Sequence, residues 1–480
     1  MQLGAGQALG QVFSLARNII IAGLLDPSDY GVAATFLLTM AMINLISNIS
    51  AEKLLIQSPH GDDEAMQRTI HTTEILRGSL SGAVLFLLAP LATRLFHVPE
   101  ATWAFQTLAL LPVLRGFRHL DIDRAQRQHN FKPMIVSNVV SQAVALALAW
   151  PITAWLGDYS AVLWILLAQT ATLVAFSHLL ARRPYRLGWS PLYGRQVLHF
   201  GWPLLLNGLL MYGAVQGDQL VIGASYDMAK LGVFAAAAGI AMAPPSVLTQ
   251  IFGAIALPTF SQAQADVTEM QGLFRSSLQI LAFLAGAVVI FFLVVGPALM
   301  VLLYNPSYQA AGEVIGLLGV MQGIRIMRSA QSTASMAMGD TRTPLYANIW
   351  RSLSLIGIIA AAAIHAPLIW IVLAGVAGEG VAFVAAQQRL RTKHGLSRRV
   401  VFMPMQMLVL ACATSEAAAL IIGRHASFAL SLTIGLLVGL IYTALCLAVF
   451  PEFRQAVIGV LHDLRHTLAR SEIVPAATEH

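Results

Sequence analysis

Charge is what this chain has least of. Asp, Glu, Lys and Arg together make up 11% of its 480 residues, against roughly a quarter in soluble domains. A water-soluble globule needs more polar surface than that, and a disordered chain needs more still. Cysteine is nearly absent. Cys412 and Cys446 each lie in apolar sequence with no CxxC spacing. Neither a disulfide framework nor a thiolate metal site follows, and both read as small buried apolar residues. A basic run ahead of the first apolar stretch is also missing, so no cleavable signal peptide is expected.

What the chain does have is apolar sequence, 57% hydrophobic with a mean hydropathy of +0.71. The expected fold class is an all-α integral membrane protein. A spanning helix takes about 20 mostly apolar residues. Breaks at Gly, Pro and charge clusters predict about fourteen such helices, starting near residues 3, 31, 72, 101, 133, 159, 197, 229, 273, 311, 345, 367, 401 and 427. The first is the most polar, with Gln7, Gln11, Arg17 and Asn18; the eighth carries Pro244-Pro245, which predicts a kink, with a bend during transport as the alternative. From Pro451 to His480 the pattern is a short amphipathic helix expected on an anionic membrane surface.

Basic residues fix an orientation. Of the 29 Lys and Arg, 23 fall in loops after even-numbered helices or in the C-terminal tail, three in loops after odd-numbered helices and three (Arg17, Arg77, Arg351) inside helices. Such asymmetry places the even loops and both termini in the cytoplasm. It also explains the net charge of +6 without nucleic acid.

The chain repeats itself. Asp26-Pro-Ser-Asp-Tyr-Gly-Val32 and Asp227-Met-Ala-Lys-Leu-Gly-Val233 are 201 residues apart; Leu110–Arg118 and Leu317–Arg325 are 207 apart, as are the pairs Pro90/Pro99 and Pro297/Pro306. An offset of six helices gives two copies of the same orientation, an arrangement found in transporters that bind substrate between repeats. The expected organisation is a six-helix lobe at 1–196, a second at 197–392, two extra helices at 393–450 and a tail at 451–480.

Five segments carry a family resemblance: Leu24-Leu-Asp-Pro-Ser-Asp-Tyr-Gly31, Leu54-Leu-Ile-Gln57, Gln126-Arg-Gln-His-Asn-Phe-Lys-Pro133, Gly217-Asp-Gln-Leu-Val-Ile-Gly223 and Leu257-Pro-Thr-Phe-Ser261. In order and spacing they resemble the polysaccharide transporter family, the Wzx-like oligosaccharide-lipid flippases of the MOP superfamily. The resemblance implies a flippase of the bacterial inner membrane that moves undecaprenyl-pyrophosphate-linked oligosaccharide between leaflets for O-antigen, capsule or exopolysaccharide assembly. Its partners would be the lipid-linked glycan, the bilayer, a polysaccharide polymerase and a chain-length regulator. Related families flip lipid II or exchange cationic drugs for ions.

Residue by residue, an anionic cargo points to arginine, whose planar fork bonds two phosphate oxygens at once. Intramembrane charge costs about 2.5–3.5 kcal/mol on insertion scales. The candidates for substrate binding are Arg17, Arg77, Arg118, Gln322, Arg325, Arg328 and Arg351; the competing role is anchoring a helix end, or for Arg77 a local pair with Glu74. Gln322, Arg325, Ser329, Ser332 and Ser335 share one helix face, as do Gln7, Gln11, Ser14 and Asn18, suiting sugar hydroxyls, cavity water or interhelical bonding. Among the acids, Asp218, Glu379 and Glu416 lie in predicted spans and are candidates for H+ or Na+ coupling or for ion pairs with bundle arginines. No cofactor, metal site or catalytic residue is expected. A glycosyl polymerase or ligase would need an acceptor site outside the bilayer, and the odd loops are short with no His–carboxylate pair.

Overall fold

The computed structural model describes residues 2–47, 51–422 and 427–455. Among these residues there are helices and turns and no strand. In chain order the helices are α1 (Gln2–Leu24), α2 (Pro27–Ser47), α3 (Ala51–Gln57), α4 (Glu64–Leu95), α5 (Thr102–Leu108), α6 (Leu110–Gly116), α7 (Asp121–Arg124), α8 (Lys132–Leu156), α9 (Ser160–Leu179) and α10 (Pro191–Ser225). They continue as α11 (Met228–Gln262), α12 (Val267–Ile290), α13 (Gly296–Leu303), α14 (Ala311–Ala337), α15 (Arg342–Ser352), α16 (Ser354–Ala363), α17 (Leu368–His394), α18 (Phe402–Ile422) and α19 (Phe428–Val449). A π-helical turn, Phe291–Val295, joins α12 to α13.

Nine helical stretches among the described residues are long and apolar enough to cross a membrane. The chain is a multi-pass membrane protein. Local sequence sets the helix ends. Asp63 caps α4 by accepting from the Ala65 N–H, and Asp266 caps α12 by accepting from Thr268 and Glu269, each satisfying donors that have no partner within the helix. Gly157, at φ +70, closes α8 in a left-handed turn that L side chains rarely adopt. Pro244 and Pro245 do not end their helix: α11 runs through both. The amphipathic segment expected beyond Pro451 lies outside the described residues from 456 onward, as do Asn48, Ile49 and Ser50.

The described fold divides into two compact units. One comprises 1–243, 300–314 and 352–375; the other comprises 244–299, 315–351 and 376–480.

In the first unit, α8 packs on α1 and α9. Its buried residues Ser137, Ser141, Ala145, Ala149 and Thr153 recur every fourth position. In lipid there is little hydrophobic drive between helices, and small residues in such a row let backbones approach closely enough for van der Waals contact to hold them. The opposite choice is made on the outside, where Trp155 and Leu87 stay 84% and 74% exposed, since the surrounding solvent is hydrocarbon.

The repeat seen in sequence has a physical counterpart in this unit. Gly31, in the first turns of α2, lies against the Met228 carbonyl, and Gly232, in the first turns of α11, lies against the Pro27 carbonyl. A Cβ at either position would overlap the carbonyl it faces. Around this crossing the Tyr308 hydroxyl donates to the Leu25 carbonyl (3.4 Å), the Tyr304 hydroxyl to that of Ala236 (3.4 Å) and the Tyr226 hydroxyl to that of Ala366 (2.6 Å).

The second unit is centred on α12, α18 and α19, with Phe274, Leu278, Ala282, Ala285, Met407, Ala411, Tyr442 and Cys446 in its core. Both cysteines are free thiols, Cys446 buried and Cys412 half-buried, as small apolar residues would be.

Candidate functional site

Within the second unit, three arginines meet one glutamate. α14 carries Arg325 and Arg328, α15 brings Arg351 in its last turn, and α17 supplies Glu379. Arg325 donates to Glu379 Oε1 from Nε (2.9 Å) and from a terminal nitrogen (2.8 Å), and Arg351 Nε lies 2.8 Å from the same oxygen. Arg328 Nε lies 3.2 Å from Oε2, and Arg328 Nη1 donates to Asn348 Oδ1 (3.0 Å), one turn before Arg351 on α15. The Glu379 side chain is fully enclosed, whereas the arginine side chains keep 21%, 11% and 11% of their surface.

Gln322 sits one turn before Arg325 on α14, 2% exposed, and its Oε1 has no hydrogen-bond partner among the described residues. The serines of the same stripe behave differently. Ser329 and Ser335 turn their hydroxyls back to the carbonyls of Ile326 and Ser332 on their own helix. Farther along, Gln331 donates to the Phe383 carbonyl and to Gln387, and Gln387 donates to the Ser397 carbonyl. A polar seam therefore ties α14 to α17 from Glu379 onward.

The remaining sequence candidates lie in the first unit. Arg17 is 7% exposed and donates to Gln169 (2.6 Å), Asn18 (3.2 Å) and Ser14 (3.5 Å). It lines a small cleft with Asn18, Ile21, Tyr30 and Ile165. Asp218 accepts from the Gln219 N–H on α10. Arg77 forms the local pair with Glu74 (2.7 Å) and reaches Ser47 (3.1 Å). Arg118 falls beyond the end of α6, which stops at Gly116, and pairs with Asp123 (2.7 Å).

Other groups are legible only in three dimensions. His71, His119, His178 and Tyr185 stack with ring centroids 4.4–5.3 Å apart. The Leu120 N–H donates to His71 Nε2 and the Asp121 N–H to His119 Nδ1 (both 3.1 Å), so both rings must be neutral to accept. Burial, with His178 adding to it, lowers the pKa of His119. Arg127 donates from one nitrogen to the carbonyls of Leu55, Ile56 and Ser58, closing the C-terminal end of α3. Two of the five segments that carry the family resemblance, 54–57 and 126–133, thus meet at this guanidinium. No group of three or more His, Cys, Asp or Glu suited to a metal occurs among the described residues.

A family profile described as polysaccharide biosynthesis protein matches residues 20–313. The chain belongs to the polysaccharide biosynthesis protein family. Among curated members of similar sequence, the amylovoran biosynthesis protein AmsL of Erwinia amylovora is 24% identical over 313 residues, 61% of this chain and 76% of that one. The succinoglycan biosynthesis transport protein ExoT of Rhizobium meliloti is 22% identical over 354 residues, 73% of this chain and 71% of that one. Among solved structures, the lipid II flippase MurJ in an inward closed conformation superposes with a TM-score of 0.74 at 13% identity, covering 93% of this chain and 99% of that one. An inward-facing MATE family multidrug resistance transporter gives 0.63 at 16% identity, covering 80% and 95%. This polysaccharide biosynthesis protein therefore has the MOP superfamily fold, and the resemblance read from the five segments holds.

Proposed function

We propose that the chain is a flippase that translocates an undecaprenyl-pyrophosphate-linked oligosaccharide across the bacterial inner membrane, by alternating access between its two repeats, for polysaccharide assembly. The observation that carries the reading is the gathering of Arg325, Arg328 and Arg351 on Glu379 in a chain of this family. Fixed guanidinium groups at membrane depth suit a phosphate-bearing headgroup. Arg17, with its neutral polar partners on α1 and α9, is a second cationic candidate for the cargo, and Gln322 has an open acceptor for a sugar hydroxyl. Arg77 and Arg118, each held by a neighbouring carboxylate, contribute to binding less than these. Asp218 and Glu379 remain the candidates for an H+ or Na+ link. The chain carries no chemistry on the cargo; its curated relatives act in polysaccharide biosynthesis, and its structural neighbours are transporters.

The test is direct. Purified protein in liposomes should move a fluorescent polyprenyl-diphosphate oligosaccharide from one leaflet to the other, measured by dithionite quenching. A rate equal to that of protein-free liposomes refutes the flippase reading. The competing reading, a cation-exporting antiporter, calls for acids facing the cargo, whereas the side chains gathered here are three arginines and one glutamate.

A further inference from the structure

The first turns of α10, in the first unit, have two faces. Tyr193 and Val197 are buried with Leu55, Met66, Ile70 and Leu120, and the Tyr193 hydroxyl donates to Asp63. The other face is open. Pro191, Arg195, Leu198 and His199 follow one another at helical spacing and are exposed. With Trp189 and Gly194 they line a wide-mouthed cavity of about 580 Å³, a size common to small-molecule sites, which run from roughly 300 to 1,000 Å³. Local sequence builds it. A Cβ on Gly194 would come within 2.6 Å of the Trp189 ring, so the absent side chain lets the indole fold back against the helix and form one wall.

Depth and charge bear on what the cavity takes. α10 has 35 residues, and a hydrocarbon core about 30 Å thick uses about 20 of them. The basic residues of this helix, Arg195 and His199, are in its first turns, so those turns take up the excess at headgroup level. Trp189 is exposed there, and tryptophan favours that level because its ring is apolar and its N–H polar. Nearby, Arg68 and Arg186 are matched, sharing Glu64 at 2.6 and 2.9 Å. Arg195 makes no ion pair among the described residues, and no acid is among the residues that line the cavity.

We propose that this cavity is a binding site for an anionic phospholipid, with Arg195 and His199 for the phosphate and Trp189, Pro191 and Leu198 for the start of the acyl chains. Guanidinium is suited to a phosphate, and the apolar walls exclude a bare anion as the best occupant. A zwitterionic lipid brings its own cation to a place without an acid, so a headgroup of net negative charge is preferred. The site is separate from the arginines gathered on Glu379 and does not depend on the flippase reading.

The experiment uses the full-length protein in detergent, titrated with an equimolar mixture of dioleoyl phosphatidylglycerol and dioleoyl phosphatidylcholine, with bound lipids counted by native mass spectrometry. The wild type should retain the glycerol lipid at least about fivefold over the choline lipid. Arg195→Gln should lower that preference at least about threefold, and Arg195→Lys should keep part of it. Trp189→Ala should weaken retention of the glycerol lipid at unchanged protein melting temperature. Arg391→Gln, which removes an exposed charge on another helix, should leave the preference unchanged. Hydrogen exchange in residues 187–199 should slow when phosphatidylglycerol is added and stay unchanged with phosphatidylcholine.

Equal retention of the two lipids by the wild type overturns the proposal. So does an unchanged preference in Arg195→Gln, which would put the lipid elsewhere, and an equal loss in Arg391→Gln, which would make the effect one of overall charge. sn-Glycerol 3-phosphate supplies the last arm: exchange slowed as much by this soluble phosphate as by the lipid would overturn the lipid assignment in favour of a free phosphate compound.

Discussion

Gly31 and Gly232 face each other's backbones: each lies against a carbonyl from the first turn of the helix that carries the other, at equivalent places in the two repeats. Neither site has room for a single additional carbon. The repeated Asp-x-x-x-x-Gly segment is therefore the sequence trace of a helix crossing that only glycine permits.

Alanine at Gly31 or Gly232 should destabilise the protein by about 1–3 kcal/mol, the usual cost of overpacking a close contact. The two effects should not add, because either substitution already separates α2 from α11. Melting temperatures of the two single variants and the double variant check this. An additive double variant would show that the two glycines act independently.

The histidine stack gives a pH dependence with a definite sign. The folded-state pKa of His119 is depressed, so the unfolded chain takes up its proton first as pH falls from about 6.5. Stability contributed by neutral His119 is complete above that value and declines below it. Melting temperature should drop from pH 7 to pH 5 in the wild type, and less steeply in His119→Gln. Parallel curves would remove His119 from the explanation.

Replacing Arg127 with Ala should expose the carbonyls of Leu55, Ile56 and Ser58 and cost about 1–3 kcal/mol. Hydrogen exchange should speed up in α3 and the following turn and stay unchanged in α12 and α18. Faster exchange across the whole chain would mean that the residue supports more than one helix end.

Charge at Arg17 and Arg325 is expected to be needed for transport. Gln at either position should abolish polysaccharide export while membrane-inserted protein persists, and Lys should keep part of the activity, because it retains the charge and loses the fork. Normal export from both Gln variants would demote them to structural residues.

The 23-to-3 division of basic residues makes orientation testable as well. Reporter fusions at residues 182–195 and 389–399 should register cytoplasm, and fusions at 26–30 and 305–309 should register periplasm. A reversed signal at either basic loop would break the orientation.

Much of the fold was readable because lipid leaves few options. Apolar runs of the right length must be helices, and Gly, Pro and charge mark where they stop. The site was readable only in parts. Arg325, Arg351 and Glu379 each stand out as charge in apolar sequence, but nothing local says that Arg325 meets a glutamate 54 residues away, or that Arg351 reaches the same oxygen. The Glu74 partner of Arg77 was legible as a spacing of three on one helix, whereas the Asp123 partner of Arg118 was not, and the position of Arg118 depended on where α6 stops. The stack of His71, His119 and His178 has no sequence signal, since its members belong to different helices and loops and follow no spacing rule.

The cluster around Glu379 also bears on how the chain is made. Arg325 leaves the ribosome 54 residues before its glutamate, which at about 5–20 residues per second is an interval of several seconds. During that time α14 holds two arginines at a cost of about 2.5–3.5 kcal/mol each on insertion scales, with their acid not yet synthesised. The expectation is that the helix waits at the translocon or at the headgroup level and settles when α17 arrives. A nascent chain truncated between residues 352 and 378 should therefore leave a cysteine introduced into α14 open to a water-soluble thiol reagent, and one extended past α17 should leave it protected.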